Sequence, residues 1–256
     1  MAKYVEVVNN SGTVTIDDTH PRLVKTRTVS ITAGRTIVPA ADYYYIKGYI
    51  DNKYILGSYC IQRVNLNSNE KIVAVRAKKA HDNVAVLGGF ISSSKYQVTL
   101  CGSVANTNTY ESDYLLDIYG TVPSSGGTNS GLEIFNASGT KIFDSDFYTM
   151  DVVGTFSVVN KDYKVFTNAT TSYSMGGHSV SNRAVAINSC INSVYLHPKT
   201  QGTPWGTLLY GVVFGSTIHL ELRLNQYMTW LTNGGGATPH GYSHSSSGII
   251  LNTKNI

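Results

Sequence analysis

A phrase of fifteen residues occurs twice in this 256-residue chain, and it constrains the fold more than any other feature. The first copy, YVEVVNNSGTVTIDD, spans Tyr4 to Asp18, and the second, GLEIFNASGTKIFDS, spans Gly131 to Ser145. The copies align without a gap at a spacing of 127 residues, with six identical positions and four more that are apolar in both. A repeat at this distance predicts that the chain contains one structural unit twice.

Each copy of the phrase has the pattern of a β-hairpin. Apolar and polar residues alternate on both sides of a short polar segment, as they do in strands with one buried face. The polar segment contains Asn9 and Gly12 in the first copy, and Asn136 and Gly139 in the second. Asn and Gly tolerate the positive φ that short hairpin loops require. The sequence therefore predicts two equivalent hairpins with these four residues at their turns.

Short segments rich in β-branched and aromatic residues follow each copy, with turn-forming residues between them. Examples are EKIVAVRA, NVAVLGGFI and YQVTLCGSV in the first half, and GTFSVV, RAVAINSCINSVYL and TIHLELRLNQYM in the second. No segment combines a sustained 3.6-residue apolar period with helix-capping residues. The pattern predicts an all-β fold built from many short strands.

The order of these segments is similar in the two halves of the chain. SNEKIVAV, which begins at Ser68, resembles SNRAVAI, which begins at Ser181. Between the halves, GTVPSSGGTNSG is uncharged and rich in Gly, Ser and Thr, a composition typical of domain linkers. We therefore predict two tandem, sequence-related β-sandwich-like domains at residues 1–122 and 130–256, joined by a linker at 123–129.

Charge and cysteine content exclude several classes of protein. The net charge is only +4, and one small basic cluster, RAKKAH, is too limited for a surface that follows nucleic-acid phosphates. The chain has no signal-peptide pattern and no apolar run of 18 residues, so we expect no membrane insertion. Cys60, Cys101 and Cys190 are odd in number and not in C-x-x-C pairs, which favours reduced thiols in a protein that folds in a cytosol.

Catalytic and metal-binding patterns are weak throughout. His240 and His244 lie in a Gly- and Ser-rich segment without a third ligand nearby. Asp144 and Asp146 in FDSDF could suggest calcium, but capping of a strand end or turn is the better interpretation of Asp144. No nucleophile motif, phosphate-binding loop or dinucleotide fingerprint is present. We therefore predict no catalytic residues, no metal and no cofactor, and expect that the protein is not an enzyme.

Two segments are candidate interaction surfaces. Tyr43, Tyr44 and Tyr45 begin a tyrosine-rich stretch that suits ordinary sandwich strands, an interface with another subunit, or a surface that stacks on sugar rings. The second candidate is the Gly-, Ser- and His-rich segment from Thr232 to Gly248, which we predict to be a long exposed loop. Trp230 precedes this loop, and His240 and Tyr242 lie within it.

The second copy of the phrase resembles the N-terminal signature of small bacteriophage tail proteins. That signature opens with Gly-Leu-x-Val-Phe/Tyr-Asn, continues through a short Gly turn and ends in Phe-Asp-Ser. The matching residues are Gly131, Leu132, Phe135, Asn136, Gly139, Phe143, Asp144 and Ser145. The first copy departs from the signature, because Tyr4 replaces Gly, Ile16 replaces Phe and Asp18 replaces Ser.

This resemblance implies a structural or adaptor component of a virion, at the tail or tail tip, that is assembled in the cytoplasm of a bacterial host. It implies other tail proteins as partners and no catalytic residues. It also implies a homo-oligomer, for which we expect a trimer before a hexamer. The alternative is a receptor-binding module that contacts a host-surface glycan or protein through the tyrosine-rich or Gly/Ser/His-rich segment.

Overall fold

The fold is known from a computed structural model. It describes residues 6–8, 14–17, 22–34, 36–37, 57–82, 84–103, 109–124, 131–136, 138–159, 172–189, 192–196, 205–222, 238–243 and 245–253. The account below concerns these residues.

The first half of the chain forms nine strands within the described residues. They are β1 (Glu6–Val8), β2 (Val14–Asp17), β3 (Val24–Ser30), β4 (Thr36–Ile37), β5 (Gly57–Asn65), β6 (Glu70–Ala77), β7 (Val84–Ser92), β8 (Lys95–Ser103) and β9 (Tyr114–Gly120).

The second half forms ten strands within the described residues. They are β10 (Glu133–Phe135), β11 (Lys141–Asp144), β12 (Val152–Val159), β13 (Ser172–Ser179), β14 (Arg183–Ser189), β15 (Asn192–Leu196), β16 (Trp205–Phe214), β17 (Thr217–Leu222), β18 (Thr238–Ser243) and β19 (Ser245–Asn252). The described part of the chain contains no α-helix, only 3-10 turns at Glu111–Asp113 and Val180–Asn182. The all-β prediction is therefore confirmed.

Both copies of the repeated phrase form hairpins, and the hairpins share one register. Strands β1 and β2 form one two-stranded antiparallel sheet, and β10 and β11 form another. Each pairing has an irregularity at the same place, between Val7 and Val8 in the first hairpin and between Ile134 and Phe135 in the second. The paired residues correspond at the spacing of 127: Glu6 with Asp17 and Glu133 with Asp144, Val7 with Ile16 and Ile134 with Phe143.

The remaining strands form two large sheets that cross the midpoint of the sequence. The six-stranded sheet has the order β12-β19-β14-β6-β9-β3, and the nine-stranded sheet contains the order β13-β17-β16-β7-β8-β5-β4. Each sheet therefore contains strands from both halves, so the expectation of two separate sandwiches is wrong. The physical reason is that the last strand of each half, such as β6 or β14, leaves an open edge that the equivalent strand of the other half covers. Of the predicted linker, only residues 123–124 are described.

The order of strands in each sheet is mirrored about its centre. In the six-stranded sheet β3, β9 and β6 correspond to β12, β19 and β14, and in the nine-stranded sheet β5, β8 and β7 correspond to β13, β17 and β16. The halves meet through antiparallel pairs of equivalent strands, β6 with β14 and β7 with β16. A further antiparallel bridge joins Val24 in β3 to Thr149, just before β12. This pattern is that of an approximate two-fold axis within one chain.

Details of the backbone repeat as well. Strand β3 has a β-bulge between Lys25 and Arg27, and β12 has one between Val152 and Gly154. The first residues of the two bulges, Lys25 and Val152, are again 127 positions apart. The SN pair that precedes β6 and β14 also has one role in both halves. The carbonyl oxygen of Asn69 accepts a hydrogen bond from the Thr121 N–H at 3.0 Å, and that of Asn182 accepts one from the Thr253 N–H at 2.9 Å.

The main hydrophobic core is shared by both halves. On β6 and β14, Val73, Val75, Val185 and Ile187 are buried in the cluster that includes nine-stranded-sheet residues such as Val86. The alternate residues of these strands lie on the opposite face of the six-stranded sheet. A second buried cluster there consists of Ala74, Tyr119, Ala184, Ala186 and Leu251. One continuous core across the midpoint is what the mirrored sheets require.

The segment predicted to be a long exposed loop, Thr232 to Gly248, is largely strand where it is described. Strand β18 pairs with β15, and β19 pairs on one side with β12 and on the other with β14. Ser246 is fully buried. The prediction of a loop is wrong here because the backbone N–H and C=O groups of this Ser-rich run are satisfied by ladder partners on both sides.

Candidate interaction surfaces

Most of the residues singled out from the sequence have no described environment. Tyr43, Tyr44, Tyr45, Trp230, Asn9 and Gly12 lie outside the described residues. His240 and Tyr242 lie in β18, where the backbone pairs with β15, and their side chains are outside the described part. Their role as interface or ligand residues therefore stays a prediction.

The turn of the second hairpin forms as the sequence predicts. Gly139 has φ of +76°, in the left-handed region. The side-chain oxygen of Asn136 accepts hydrogen bonds from the N–H groups of Ser138 at 3.1 Å and Thr140 at 2.8 Å. The backbone closes the same loop, because the Asn136 N–H donates to the Thr140 carbonyl at 2.9 Å. Asn136 and Gly139 thus hold the turn for different reasons, one through its side chain and the other through its φ.

An ionic group at the base of the second hairpin fixes its two strands. The Lys141 ammonium contacts the Glu133 carboxylate and donates a hydrogen bond to Asp144 at 2.9 Å. Asp144 also accepts from the Asp146 N–H at 2.9 Å. Burial acts to raise the pKa of Asp144, but the hydrogen bonds from Lys141 and Asp146 hold that pKa below its usual value. The predicted capping role of Asp144 is confirmed.

Exposed apolar side chains concentrate around this hairpin and the strand that follows it. Eight large apolar residues are exposed in the described part, and five of them fall between 132 and 153. Exposed apolar side chains are therefore denser in this segment than elsewhere in the described part. We call these five the hairpin patch: Leu132, Phe135, Tyr148, Val152 and Val153. Several exposed large apolar side chains within one segment make it a candidate interaction surface.

The first half differs from the hairpin patch at the two equivalent positions whose side chains the structure describes. The positions equivalent to Val152 and Val153 are Lys25 and Thr26, and both of these make polar contacts. Lys25 lies 4.0 Å from the Asp117 carboxylate, and the Thr26 hydroxyl donates to Glu70 at 2.9 Å. The sequence analysis did not single out the patch, although comparison of β3 with β12 at the spacing of 127 residues could have revealed it.

A small apolar groove lies across the junction of β6 and β14. Its volume is about 190 Å³, enough for an amino-acid side chain or two. Its lining comprises Lys71, Ile72, Val73, Phe90, Ala186, Ile187, Asn188, Gly248 and Ile249. These side chains can exclude water from an apolar group but include no acid–base pair or nucleophile.

Two buried carboxylates on the six-stranded sheet are fully paired. Asp117, fully buried, accepts hydrogen bonds from Arg76 at 2.7 Å and from the Thr28 hydroxyl at 2.7 Å. Glu70 accepts two from the Arg27 guanidinium at 2.8 and 2.9 Å. The hydrogen bonds from Arg27 outweigh the effect of burial and lower the pKa of Glu70 to about 2.

These contacts satisfy both carboxylates within the protein. Three residues of the basic cluster RAKKAH also contact carboxylates, and the fourth, Lys78, donates to the Ser112 carbonyl at 3.0 Å. Arg76 pairs with Asp117, and both Lys79 and His81 contact Asp113, at 3.3 and 3.0 Å.

A group of aromatic and titratable residues lies around Tyr114, at the start of β9. The His81 ring stacks on Tyr114 with 5.6 Å between centroids and contacts Asp113 through Nε2. The Tyr114 hydroxyl is buried with no hydrogen-bond partner in the described part, and burial raises its pKa.

The Cys60 thiol donates to the Ala33 carbonyl at 3.0 Å, and burial raises the pKa of this thiol to about 11. A thiol with that pKa is protonated at neutral pH and is a poor nucleophile.

Two further features of the described residues concern metal binding and membrane insertion. No group of three or more His, Cys, Asp or Glu side chains is arranged to hold a metal ion in the described part of the chain. Within the same residues, no helix has the length and apolar character needed to cross a membrane.

The chain was compared with known proteins at three levels. Neither protein-family models, nor characterised protein sequences, nor solved structures matched it. What the structure itself defines is an all-β protein with two sheets shared between repeated halves.

Proposed function

We propose that this protein is a structural or adaptor component of a bacteriophage virion, located at the tail or tail tip. The proposal rests on the resemblance of the second hairpin to the tail-protein signature and on the way its residues divide between two tasks. The polar signature residues build the hairpin, whereas two of its apolar residues, Leu132 and Phe135, are left on the surface.

The division of tasks is the observation that carries the proposal. Asn136 and Gly139 form the turn, and Asp144 caps the strand end. Ser145 ties down the first strand, because its hydroxyl accepts from the Leu132 N–H at 2.8 Å and its own N–H donates to the Leu132 carbonyl at 2.9 Å. Leu132 and Phe135 have no structural task of this kind, and exposed side chains on a rigid hairpin suit contact with a neighbouring protein.

The protein acts in this proposal by binding, without catalysis. Its partners are other tail proteins and further copies of itself, with a trimer expected before a hexamer. The approximate two-fold within the chain joins its halves through the edges of equivalent strands. A ring of six similar units would instead need head-to-tail contacts between them. Any three-fold or six-fold arrangement must therefore come from surfaces other than the one that joins the halves.

Immunogold electron microscopy of the phage that carries this gene tests the proposal. Antibodies against the purified protein should label one end of intact, washed particles, at the tail. A particle carrying Phe135→Ser should assemble with less label or lower yield than one carrying Ile91→Ser, a control that removes an exposed apolar side chain from β7 instead of the hairpin. A protein found only in the lysate and never on particles would refute a virion role.

A further inference from the structure

We propose that the groove at the junction of β6 and β14 binds a small amphipathic anion, a short unbranched alkyl chain that ends in a carboxylate. The proposal does not depend on the virion role. It rests on three properties of the groove: its position where the sheet separates, its apolar floor, and a lysine at its mouth.

The groove lies where β6 and β14 stop pairing. In the described residues these strands share one ladder pair, Val75 with Val185. On one side of this pair, β6 is irregular just before Ile72 in its ladder with β9, and β14 is irregular just after Ile187 in its ladder with β19. Irregularities of this kind bend a strand locally, which accounts for a gap between β6 and β14 at the groove.

The lining of the groove comes from both faces of the six-stranded sheet. Val73 and Ile187 belong to the main core on one face. Ala186 belongs to the second buried cluster on the opposite face, and Ile72 and Ile249 pack against that cluster. Because successive side chains of a strand point to opposite faces, a groove lined from both faces enters the sheet between two strands. Such a gap suits a narrow, linear group.

Burial distinguishes the floor of the groove from its mouth. Val73 and Ala186 are buried, whereas Lys71, Phe90 and Asn188 are exposed. The volume of about 190 Å³ is below the roughly 300 Å³ at which pockets begin to take drug-sized ligands. The ligand that fits is therefore a single short chain whose polar end stays at the mouth.

The mouth sets the charge of the ligand. Lys71 is the only charged residue in the lining. Its ammonium donates a hydrogen bond to the Ser68 carbonyl at 2.6 Å, and an ammonium has three donors, so donors are left for a carboxylate. The Asn188 amide is a neutral donor at the same mouth. An alkyl carboxylate thus places its chain against the apolar floor and its anion beside Lys71.

Isothermal titration calorimetry of the full chain with sodium octanoate tests the proposal. We expect saturable binding with one octanoate per chain. Each methylene removed from the buried part of the ligand should weaken binding about fourfold, so hexanoate should bind about tenfold more weakly or worse.

Two lysine variants test the charge at the mouth. Lys71→Gln should weaken octanoate binding about threefold and leave binding of the neutral 1-octanol unchanged, because only octanoate is attracted to the ammonium. Lys78→Gln is the matched control and should leave both ligands unaffected. Lys78 is also exposed and also donates to a backbone carbonyl, that of Ser112 at 3.0 Å, but it does not line the groove.

A second pair of variants tests the apolar wall. Phe90→Ala should weaken binding of both octanoate and 1-octanol about threefold or more, because it removes apolar surface that the chain contacts. Ile91→Ala removes an exposed apolar side chain of the same strand that does not line the groove, and it should weaken neither.

Nuclear magnetic resonance locates the site, because the amide signals of Val73 and Ile187 should shift with octanoate. Absence of saturable octanoate binding, equal effects of Lys71→Gln and Lys78→Gln, or equal effects of Phe90→Ala and Ile91→Ala overturns the proposal. Vesicles of an anionic phospholipid separate a free carboxylate from a membrane lipid. Flotation of the protein with these vesicles without octanoate binding would also overturn it. All four substitutions change exposed side chains, and if circular dichroism shows that one variant is unfolded, the octanoate titration of the unaltered protein is decisive.

Discussion

Val75 lies directly opposite Val185, and this pair joins β6 to β14 at the centre of the six-stranded sheet. Both side chains are fully buried, one from each half of the chain. The nine-stranded sheet has the same arrangement, where Val86 lies opposite Val212. The halves therefore share their hydrogen-bond ladders and their core, and neither half can lose its structure without exposing the other.

Thermal unfolding should accordingly be one cooperative transition. Val75→Ala and Val185→Ala each remove buried methyl groups from the shared core, at a cost of about 2 kcal/mol. Each variant should lower the single Tm by several degrees, as measured by calorimetry. Two separate transitions, with only one of them shifted by each substitution, would show that the halves unfold independently.

Gly139→Ala should destabilise the protein by about 1 kcal/mol. The cause is the positive φ, because an added Cβ at Gly139 would meet no atom within 4 Å. Gly34→Ala is the matched control, since Gly34 also has open space around it but no left-handed φ. Equal melting temperatures for the two variants would contradict this explanation. The equivalent substitution in the first hairpin, Gly12→Ala, is predicted to have a similar cost.

The Glu70–Arg27 pair should make stability depend on acidic pH. The pKa of Glu70 is lowered from 4.5 to about 2 in the folded protein. A carboxyl with a depressed folded-state pKa contributes stability that is fully present above its unfolded pKa. That contribution is lost as the pH falls through the folded pKa, here between about 4.5 and 2. The total is on the order of 3 kcal/mol.

Urea unfolding at several pH values between 2 and 6 measures this contribution. Glu70→Gln should be less stable than the unaltered protein at pH 6 and should show a weaker dependence on pH over this range. The comparison variant is Glu111→Gln, because Glu111 is an acidic residue for which no Arg partner is present in the described part. If Glu70→Gln loses no more of the pH dependence than Glu111→Gln, the pairing with Arg27 is energetically unimportant.

Asp117 and Arg76 should be strongly coupled. Asp117 is fully buried, so Arg76→Met leaves a carboxylate without its closest cation and should cost about 3 kcal/mol or more. The double variant with Asp117→Asn should cost less than the sum of the single variants. Chemical denaturation of all four proteins gives the coupling free energy. Additive effects would mean that Thr28 and Lys25 suffice to hold Asp117.

Deletion of residues 234–246 should destabilise the fold. The deletion removes β18 and the first residues of β19, which pairs with both β12 and β14. The truncated chain should show a lower Tm and less β-structure by circular dichroism. If it kept the stability of the full chain, this segment would be dispensable as the Gly- and Ser-rich composition suggested.

The sequence by itself determined the features that depend on near neighbours. Alternation of apolar and polar residues predicted strands such as β6, which forms over Glu70–Ala77, the same residues as the segment EKIVAVRA. Asn136 and Gly139 predicted their turn because hairpin loops have local requirements for φ and hydrogen bonds. The resemblance of the two copies likewise predicted equivalent hairpins, since the same local rules act on both.

Only the tertiary structure decided how the halves are joined. Strands β6 and β14 pair with each other although they lie more than a hundred residues apart in the chain. Alternation along a strand does not specify which other strand its edge pairs with. A Ser-rich run at 245–247 looked like a loop, yet it is a strand because β12 and β14 lie on either side of it. The exposed positions at Val152 and Val153 depend in the same way on distant neighbours, because burial is set by what packs against a strand and not by the strand's own residues.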